Sequence, residues 1–314
     1  MTTLIYDDPS FGLHETPEGH PERADRYTAV KSSLSDLSDQ GVGSIEWRSA
    51  SPANDDVISL VHPQSYIDRV SSASPQEGFA PLDPDTYLCP STVKAARTAV
   101  GAAVDAIDQV FLGEARNAFV IARPPGHHAE PTKAMGFCLF STAAIAAMYA
   151  RRRHGARRIA VVDFDVHHGN GTEAAFWHEE EALFVSSHEF PQYPGTGRDS
   201  DRGAYDNICN VPLATGTAGD TFREVWSTTI LPKLSDFDPD VIVISAGFDA
   251  HRADPLGGLR LEASDFAWVT REIMAVADKK SEGKLISVLE GGYDLGALAE
   301  SAKAHVSALA DVAV

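Results

Sequence analysis

Short runs of β-branched and other apolar residues alternate with longer, alanine-rich segments along most of this chain. The apolar runs occupy residues 118–122, 159–163, 183–186, 241–245 and 285–289. Continuous apolar runs of this length are typical of strands that are buried on both faces of a sheet. The intervening and flanking segments favour helices, at residues 91–112, 141–153, 221–234, 264–279 and 295–309. Strand and helix in alternation predict an α/β fold with a parallel sheet and right-handed crossovers.

The composition and the chain ends predict a single cytoplasmic domain. Hydrophobic residues make up 43% of the 314 residues, and no repeat or Pro/Ser-rich linker divides them, so we expect one domain over residues 1–314. The first eight residues carry no signal-peptide pattern, and the apolar stretch near residues 143–150 is far short of the ~20 residues that span a membrane. Cys89, Cys138 and Cys209 are widely spaced and odd in number, which fits a reducing compartment.

The chain is strongly acidic, with 45 Asp and Glu against 26 Lys and Arg and a formal net charge of -19. Because such a field repels phosphate backbones, we expect no direct binding to nucleic acid. Three arginines at residues 151–153 are interpreted as a solvated helix end, where cations complement the helix dipole. Ser91 and Ser264 are predicted helix N-caps. The acidic excess either attracts cationic substrates or reflects a salty habitat, and net charge does not decide between the two.

Polar side chains follow four of the predicted strands at the point where each strand ends. These segments are residues 123–129, 163–172, 246–258 and 290–293. In parallel sheets, ligands bind outside the carboxyl ends of the strands. We therefore expect the four segments to converge on one crevice.

Asp165 and His167 have the spacing of two ligands to one metal ion. In extended chain they point the same way, with Cα atoms ~6.6 Å apart. Carboxylate and imidazole suit zinc, and a third ligand from another strand end would leave the fourth position open, as catalytic zinc requires. Asp254 is the candidate third ligand. The alternative is that Asp165 and His167 form a buried polar pair without a metal.

The consecutive His127 and His128 are interpreted as acid/base groups, because adjacent side chains diverge and rarely bind the same ion. Each needs an acceptor for its second ring nitrogen, and Asp163 and Asn170 can supply one each. An Asp partner favours the imidazolium more than an Asn partner does, so the two pKa values are expected to differ. The alternative is a purely structural histidine pair.

Tyr293 follows two glycines, which allow a close backbone approach. Its phenol could donate to a developing oxyanion opposite the metal. A packed tyrosine with no chemical role is the alternative.

Together these segments resemble the histone deacetylase and acetylpolyamine amidohydrolase family, which has the arginase-deacetylase fold. The resemblance covers nearly the whole chain, and its motifs are residues 20–23, 85–87, 123–129, 136–140, 163–172, 193–197, 249–258 and 290–293. It implies a central parallel sheet of about eight strands with helices on both faces. Asn170 and the run that begins at Gly247 are similar to the class II branch and its bacterial relatives.

The resemblance implies that Asp165, His167 and Asp254 bind one Zn²⁺ and that Tyr293 polarises the amide carbonyl with the metal. Some class II relatives have histidine in place of this tyrosine and hydrolyse acetyl-lysine poorly. The presence of Tyr293 therefore implies a competent deacetylase.

For the histidines, the resemblance implies that His128, oriented by Asn170, is the general base for the attacking water. His127, paired with Asp163, would be the charged partner that stabilises the transition state. Which of the two protonates the leaving amine is left open.

The resemblance also implies an acyl-lysine tunnel with walls formed by Phe137 and Tyr193, and Gly136 accepting a substrate hydrogen bond. Polyamine-preferring relatives use acidic residues near the tunnel mouth, whereas Leu256 is apolar. This favours neutral or lysine-like acyl amides over cationic polyamines.

Structural K⁺ sites are implied by the same match. One would use Asp163, Asp165 and His167 with Ser186 and Ser187. A second would use carbonyls near Phe176, Glu179, Ala182 and Asn207.

We therefore expect a zinc-dependent amide hydrolase whose substrate is N-acetyl-lysine of proteins or a related small acetylated amine. An acetylpolyamine amidohydrolase or another small-amide hydrolase is the nearest alternative. A ureohydrolase would need two manganese ions, and Asn170 occupies a position where a second metal would require a carboxylate ligand. The last alternative is a silent acyl-amine-binding protein. The residues leave open whether the chain forms a homo-oligomer.

Overall fold

A parallel sheet of eight strands forms the centre of the molecule. In the computed structural model, which describes residues 2–39 and 45–311, the strand order is β2-β1-β5-β10-β9-β6-β7-β8. The strands of this sheet are β1 (Thr3–Tyr6), β2 (Ile45–Arg48), β5 (Asn117–Val120), β6 (Ile159–Asp163), β7 (Ala182–Glu189), β8 (Ile208–Leu213), β9 (Val241–Ala246) and β10 (Leu285–Leu289). A separate antiparallel pair consists of β3 (Ala80–Asp83) and β4 (Thr86–Leu88).

Helices flank the sheet on both faces, which confirms the predicted fold class. The α-helices are α1 (Ser10–Leu13), α2 (Asp25–Asp39), α3 (Asp55–Ile58), α4 (Gln64–Ser72), α5 (Thr92–Leu112), α6 (Thr142–His154), α7 (Asn170–Phe176), α8 (Gly219–Val225), α9 (Leu231–Phe237), α10 (Ala263–Lys280) and α11 (Leu295–Leu309). One group is formed by α5 and α6, which pack on each other and on the central strands, and another by α2, α10 and α11. None of the helices in the described ranges is long and apolar enough to cross a membrane.

The strands predicted from continuous apolar runs are buried along their whole length. Residues of β5, β6, β9 and β10 are all buried, as expected for strands covered by helices on both faces. The prediction at residues 183–186 is the centre of a longer strand, β7. The edge strand β2 is only partly buried, and no apolar run marked it.

One helix prediction needs refinement and one local prediction was wrong. Residues 221–234 are helical as predicted, but a π-helical segment, Trp226–Ile230, lies between α8 and α9. Ser264 is not an N-cap, since it lies inside α10. The cap is Glu262, whose side chain accepts the backbone N–H of Asp265, while the Asp265 side chain accepts the backbone N–H of Glu262 in a capping box. Ser91 precedes α5 as predicted but makes no side-chain capping bond.

The strand order explains how the site is assembled. The four strands whose ends carry the polar segments, β5, β10, β9 and β6, are consecutive neighbours in the middle of the sheet. They are parallel, so their carboxyl ends meet at one edge. The segments at residues 123–129, 163–172, 246–258 and 290–293 therefore face a common crevice.

Candidate active site

Three buried side chains at this edge form a group with the chemistry of metal ligands. His167 Nδ1 lies 3.1 Å from Asp165 Oδ1 and 3.1 Å from Asp249 Oδ2. One ligand atom of each residue lies within 4.8 Å of the other two. Backbone N–H groups aim both carboxylates, since Gly291 donates to Asp165 and Val166 donates to Asp249.

Two glycines leave room for this group. A Cβ at Gly247 would lie 2.0 Å from Asp165 Oδ2, and a Cβ at Gly291 would lie 2.0 Å from Asp249 Oδ2. Any larger residue would therefore displace a carboxylate. The glycines after β9 and β10 are required by close approach of the backbone to the site, not by turn geometry alone.

The electrostatics of the group fit a cation. Burial and the neighbouring charge of Asp165 raise the pKa of Asp249 to about 7. Burial opposes ionisation of Asp165 as well, but His127 and His167 outweigh it and lower the pKa of that carboxyl. Two carboxylates thus share one imidazole nitrogen, which can carry only a single proton. A divalent ion such as zinc, which takes carboxylate and imidazole ligands, suits this donor set.

Asp249 joins this group where the sequence analysis had Asp254. Asp254 lies nearby, with Oδ2 accepting the backbone N–H of Tyr293 at 2.6 Å and Oδ1 accepting that of Leu256 at 2.9 Å. Asp249 is fully buried, whereas Asp254 is 7% exposed. Both residues lie in the polar segment after β9. The presence of two carboxylates in that segment is the sequence feature that could have pointed to Asp249.

The two histidines after β5 make the partner contacts expected for them. His127 Nδ1 donates to Asp163 Oδ2 at 3.0 Å, and His128 Nδ1 donates to Asn170 Oδ1 at 2.8 Å. The amide of Asn170 is oriented because its nitrogen donates to Glu130 Oε1. The Nδ1 atom of His128 therefore carries the proton, and Nε2 is left as a proton acceptor.

The surroundings separate the pKa values of these histidines. Burial works against charge on His127, but the carboxylates of Asp165 and Asp163 outweigh it and raise its pKa well above the ordinary value. Burial lowers the pKa of His128 far below that value, with charged His127 and His167 adding to the effect. One histidine is therefore charged and its neighbour neutral, although their ring centroids lie 4.0 Å apart.

A cavity of about 210 Å³ leads to the site. Its lining consists of Asp85, His128, Gly136, Phe137, His167, Gln192, Tyr193, Leu256 and Tyr293. The four residues expected to form the tunnel are all part of it, while Asp85 and Gln192 were not predicted. Gly136 is required by close contact, because it has a positive φ and a Cβ there would lie 2.4 Å from the His128 ring.

Tyr293 forms one wall of this cavity. The rings of Phe137 and Tyr293 pack edge to face, with centroids 5.8 Å apart. The guanidinium of Arg26, which is fully buried, lies 4.8 Å from the centroid of the Tyr293 ring. Burial raises the pKa of the Tyr293 phenol well above the ordinary value. The hydroxyl therefore stays protonated as a hydrogen-bond donor.

The residues of the first expected K⁺ site lie together. Asp163 is paired in register with Ser186 on β7, and both are fully buried. Ser186 Oγ lies 2.9 Å from His188 Nδ1, and Ser187 Oγ accepts a hydrogen bond from Trp226.

The residues of the second expected K⁺ site lie close together around the side chain of Asn207. The carbonyls of Phe176, Glu179 and Ala182 do converge, but they converge on Nδ2 of Asn207, at 2.8, 3.1 and 2.9 Å. The backbone N–H of Tyr205 donates to Oδ1 of the same amide, which sets its orientation. The amide nitrogen of Asn207 satisfies these three carbonyls, and the K⁺ site stays a prediction.

A parallel α/β sheet that brings two buried histidines and a group that could hold a metal to the carboxyl ends of its strands has the architecture of many enzymes. Comparison with known proteins identifies its kind. The family model described as the histone deacetylase domain matches residues 20–309. This chain belongs to the histone deacetylase family.

Individual relatives agree with this assignment. The histone deacetylase-like amidohydrolase of Pseudomonas aeruginosa is 39% identical over 280 residues, which cover 88% of this chain and 73% of that protein. A probable deacetylase of Archaeoglobus fulgidus is 34% identical over 99% of this chain and 87% of its own length. The crystal structure of the HDA15 HD domain superposes with a TM-score of 0.93 at 34% identity, over 99% of this chain and 89% of that one.

Proposed function

We propose that this chain is a zinc-dependent deacetylase, in one domain over residues 1–314, that hydrolyses N-acetyl-lysine of proteins or related small acetylated amines. The observation that carries the proposal is the histidine pair, with His127 on a carboxylate and His128 on an amide, beside the group of metal-ligand side chains. The pair supplies a neutral base, His128, in the cavity lining and a charged group, His127, directly behind it. Amide hydrolysis needs both, since charge develops on the carbonyl oxygen while a water loses its proton.

For the metal, Asp165, His167 and Asp254 would hold one zinc ion. His167 lines the cavity and Asp254, which is 7% exposed, lies beside Tyr293, whereas Asp249 is fully buried and lies against His167. Asp249 would then support the ligands indirectly, because its Oδ1 accepts the backbone N–H of Val166, which lies between Asp165 and His167. When bound, the ion would supply Lewis-acid polarisation of the substrate carbonyl and a lower pKa for the attacking water.

The side chains of this chain would divide the remaining work. His128 would accept the proton of the attacking water at Nε2, because its Nδ1 proton is committed to Asn170. His127, held as a cation by Asp163, would stabilise the negative charge of the transition state. The protonated phenol of Tyr293 would donate to the carbonyl oxygen, as an oxyanion-hole donor does.

The cavity favours an acyl amide whose amine part is a slender, apolar chain. Phe137 and Tyr193 present aromatic faces, and Leu256 adds an apolar surface to the lining. Asp85 contributes a carboxylate to the same lining, and its Oδ1 accepts the backbone N–H of Gly136. This arrangement supports a lysine-like acyl amide and keeps acetylated polyamines as the nearest alternative.

We also propose one K⁺ at Asp163, Ser186 and Ser187, where it would offset buried carboxylate charge. A cytoplasmic location is part of the proposal, supported by the cysteines Cys89, Cys138 and Cys209, which are free and buried.

The test is hydrolysis of a fluorogenic acetyl-lysine peptide by the purified protein, with and without a chelator. We expect activity that the chelator abolishes and zinc restores, with about one zinc per chain. Two manganese ions per chain would instead support a ureohydrolase, and zinc-loaded protein without activity on any acyl amide would support a binding protein. A panel of acetyl-lysine peptides, acetylated polyamines and small acetamides then separates the substrate classes.

A matched pair of variants tests the ligand assignment. Asp254→Asn is expected to remove most of the zinc, because it takes away a ligand. Asp249→Asn is expected to weaken zinc binding by only about 10- to 100-fold, as losing a supporting partner does. Zinc titration of both variants measures this, and a reversed order would make Asp249 the ligand.

A further inference from the structure

Glu290 is a buried carboxylate in the site to which the proposed chemistry gives no role. It is the first residue after β10 and is fully buried. Its Oε2 accepts the backbone N–H of Gly126 at 2.6 Å and that of His127 at 3.0 Å. One carboxylate oxygen therefore binds two consecutive main-chain N–H groups, that of His127 and that of the residue before it.

The main chain of Glu290 is tied just as firmly on the opposite side. Its N–H donates to the carbonyl of Ala246 at 2.9 Å. Its carbonyl accepts Arg26 Nη2 at 2.5 Å, and Arg26 Nε also donates to the carbonyl of Gly292 at 2.6 Å. Arg26 also packs against the Tyr293 ring. Glu290 therefore connects the segment that carries His127 to the segment that carries Tyr293.

The histidine segment needs such an anchor. Residues 121–129 lie outside helices and strands, so no helix or strand ladder supplies an acceptor for the N–H groups of Gly126 and His127. The segment is also tightly confined, since a Cβ at Gly126 would lie 2.6 Å from the carbonyl oxygen of Phe140. With Oε2 removed, two buried N–H groups would lack an acceptor in a segment that cannot easily shift to find another.

Glu290 is costly to keep. Its Oε1 has no hydrogen-bond partner in the described part of the chain. A buried polar atom without a partner costs stability, and such costs are typical of functional sites. The residue is therefore better explained by what Oε2 holds than by a gain in stability.

We propose that Glu290 is a positioning residue, which fixes the backbone of Gly126 and His127 so that the histidine pair faces the cavity in register with Tyr293. The inference rests on the proposed function for its kinetic consequence, but the backbone contact can be tested without activity.

The kinetic test compares Glu290→Leu, which has no acceptor, with Glu290→Gln, which keeps one carbonyl oxygen. In Glu290→Leu we expect kcat to fall about 10- to 100-fold with KM and zinc content unchanged, because small displacements of catalytic groups have effects of this size. Glu290→Gln is expected to restore kcat to within about threefold of the original. The control for lost stability is Ser287→Ala. Ser287 lies on β10, and this change removes its buried contact with His305 of α11.

The second measurement is hydrogen exchange at the amides of Gly126 and His127. We expect exchange there to rise at least about tenfold in Glu290→Leu but not in Glu290→Gln or Ser287→Ala. Unchanged exchange or unchanged kcat in Glu290→Leu would overturn the proposal, as would a Glu290→Gln variant that loses kcat with protection intact. If Glu290→Leu does not fold, protection and kcat in Glu290→Gln decide alone. If the unaltered protein is inactive while exchange responds as expected, the proposed function fails and the positioning role stands.

Discussion

Replacing Glu22 with glutamine should destabilise this protein strongly, because Glu22 neutralises two arginines in the interior. Its Oε1 lies 2.5 Å from Arg123 Nε and 3.0 Å from Arg26 Nη1, and all three side chains are fully buried. Oε2 lies 2.9 Å from Arg123 Nη2 and 3.1 Å from His14 Nε2. The glutamine would keep the shape of the side chain and leave two guanidinium charges without a counter-charge.

The expected size follows from this burial. Removing one partner of a buried ion pair costs ~3–5 kcal/mol, since the remaining charge stays desolvated. A chain of 314 residues has an unfolding entropy of ~0.66 kcal/mol per kelvin near its Tm. The corresponding fall in Tm is ~5–8 °C.

Calorimetry of the two proteins at pH 7 measures this shift. Asp278→Asn is the matched control, because Asp278 is half-exposed in its contact with Arg116, and exposed pairs contribute ~0–1 kcal/mol. A Glu22→Gln variant whose Tm fell no further than that of Asp278→Asn would show that the buried charges find other compensation.

The pH dependence of the same variant has a defined sign. Burial opposes ionisation of Glu22, but Arg123 and His14 outweigh it and hold the pKa of Glu22 well below its usual range. A carboxyl with a lowered folded-state pKa stabilises the protein above its unfolded value and loses this contribution as pH falls through the folded value. The contribution of the Glu22 carboxylate to stability should therefore be complete at neutral pH and shrink in acid.

Three further outcomes test other parts of the site. Tyr293→Phe should keep its zinc but lose ~10²–10³-fold in kcat on an acetyl-lysine peptide, and full activity would remove the oxyanion role. Gly291→Ala should lose zinc, measured as metal per chain, because the new Cβ would lie 2.6 Å from Oδ2 of the proposed ligand Asp165 and 2.0 Å from Asp249 Oδ2; full zinc binding would show that the carboxylates can move. Asn207→Ala should lower Tm, and K⁺ at constant ionic strength should restore more of it than in the unaltered protein, as the three carbonyls become free to bind the ion. An equal response to K⁺ in both proteins would contradict the assignment of that amide.

The centre of the fold was predictable because β5, β6, β9 and β10 are continuous apolar runs that no other element explains. Their parallel arrangement then implied that the segments at their carboxyl ends meet, and the structure brings them together. The edge strand β2 was not predictable in this way, since a partly buried strand has no continuous apolar signature.

Within the site, a contact could be predicted from the sequence when residue types and strand order alone determined it. The partners of His127 and His128 followed from which donors and acceptors stand at neighbouring strand ends. The choice between Asp249 and Asp254 depends on the turn that carries both, and the placement of Asn207 depends on one side-chain orientation. Neither leaves a mark in residue type or spacing.

The acidity of the chain divides into a surface population and a buried group. The buried carboxylates near the site belong to Asp163, Asp165, Asp249, Asp254 and Glu290. Carboxylates so close together repel one another, and His127, His167 and Arg26 are the cationic side chains set against them. If zinc completes this compensation, it binds the folded chain alone and adds RT ln(1 + [L]/Kd) to its stability. Chelation should then lower Tm, while added salt, which screens surface charge, should not reproduce the effect. A Tm unchanged by complete removal of zinc would mean that the two histidines and Arg26 balance the buried carboxylates without a metal.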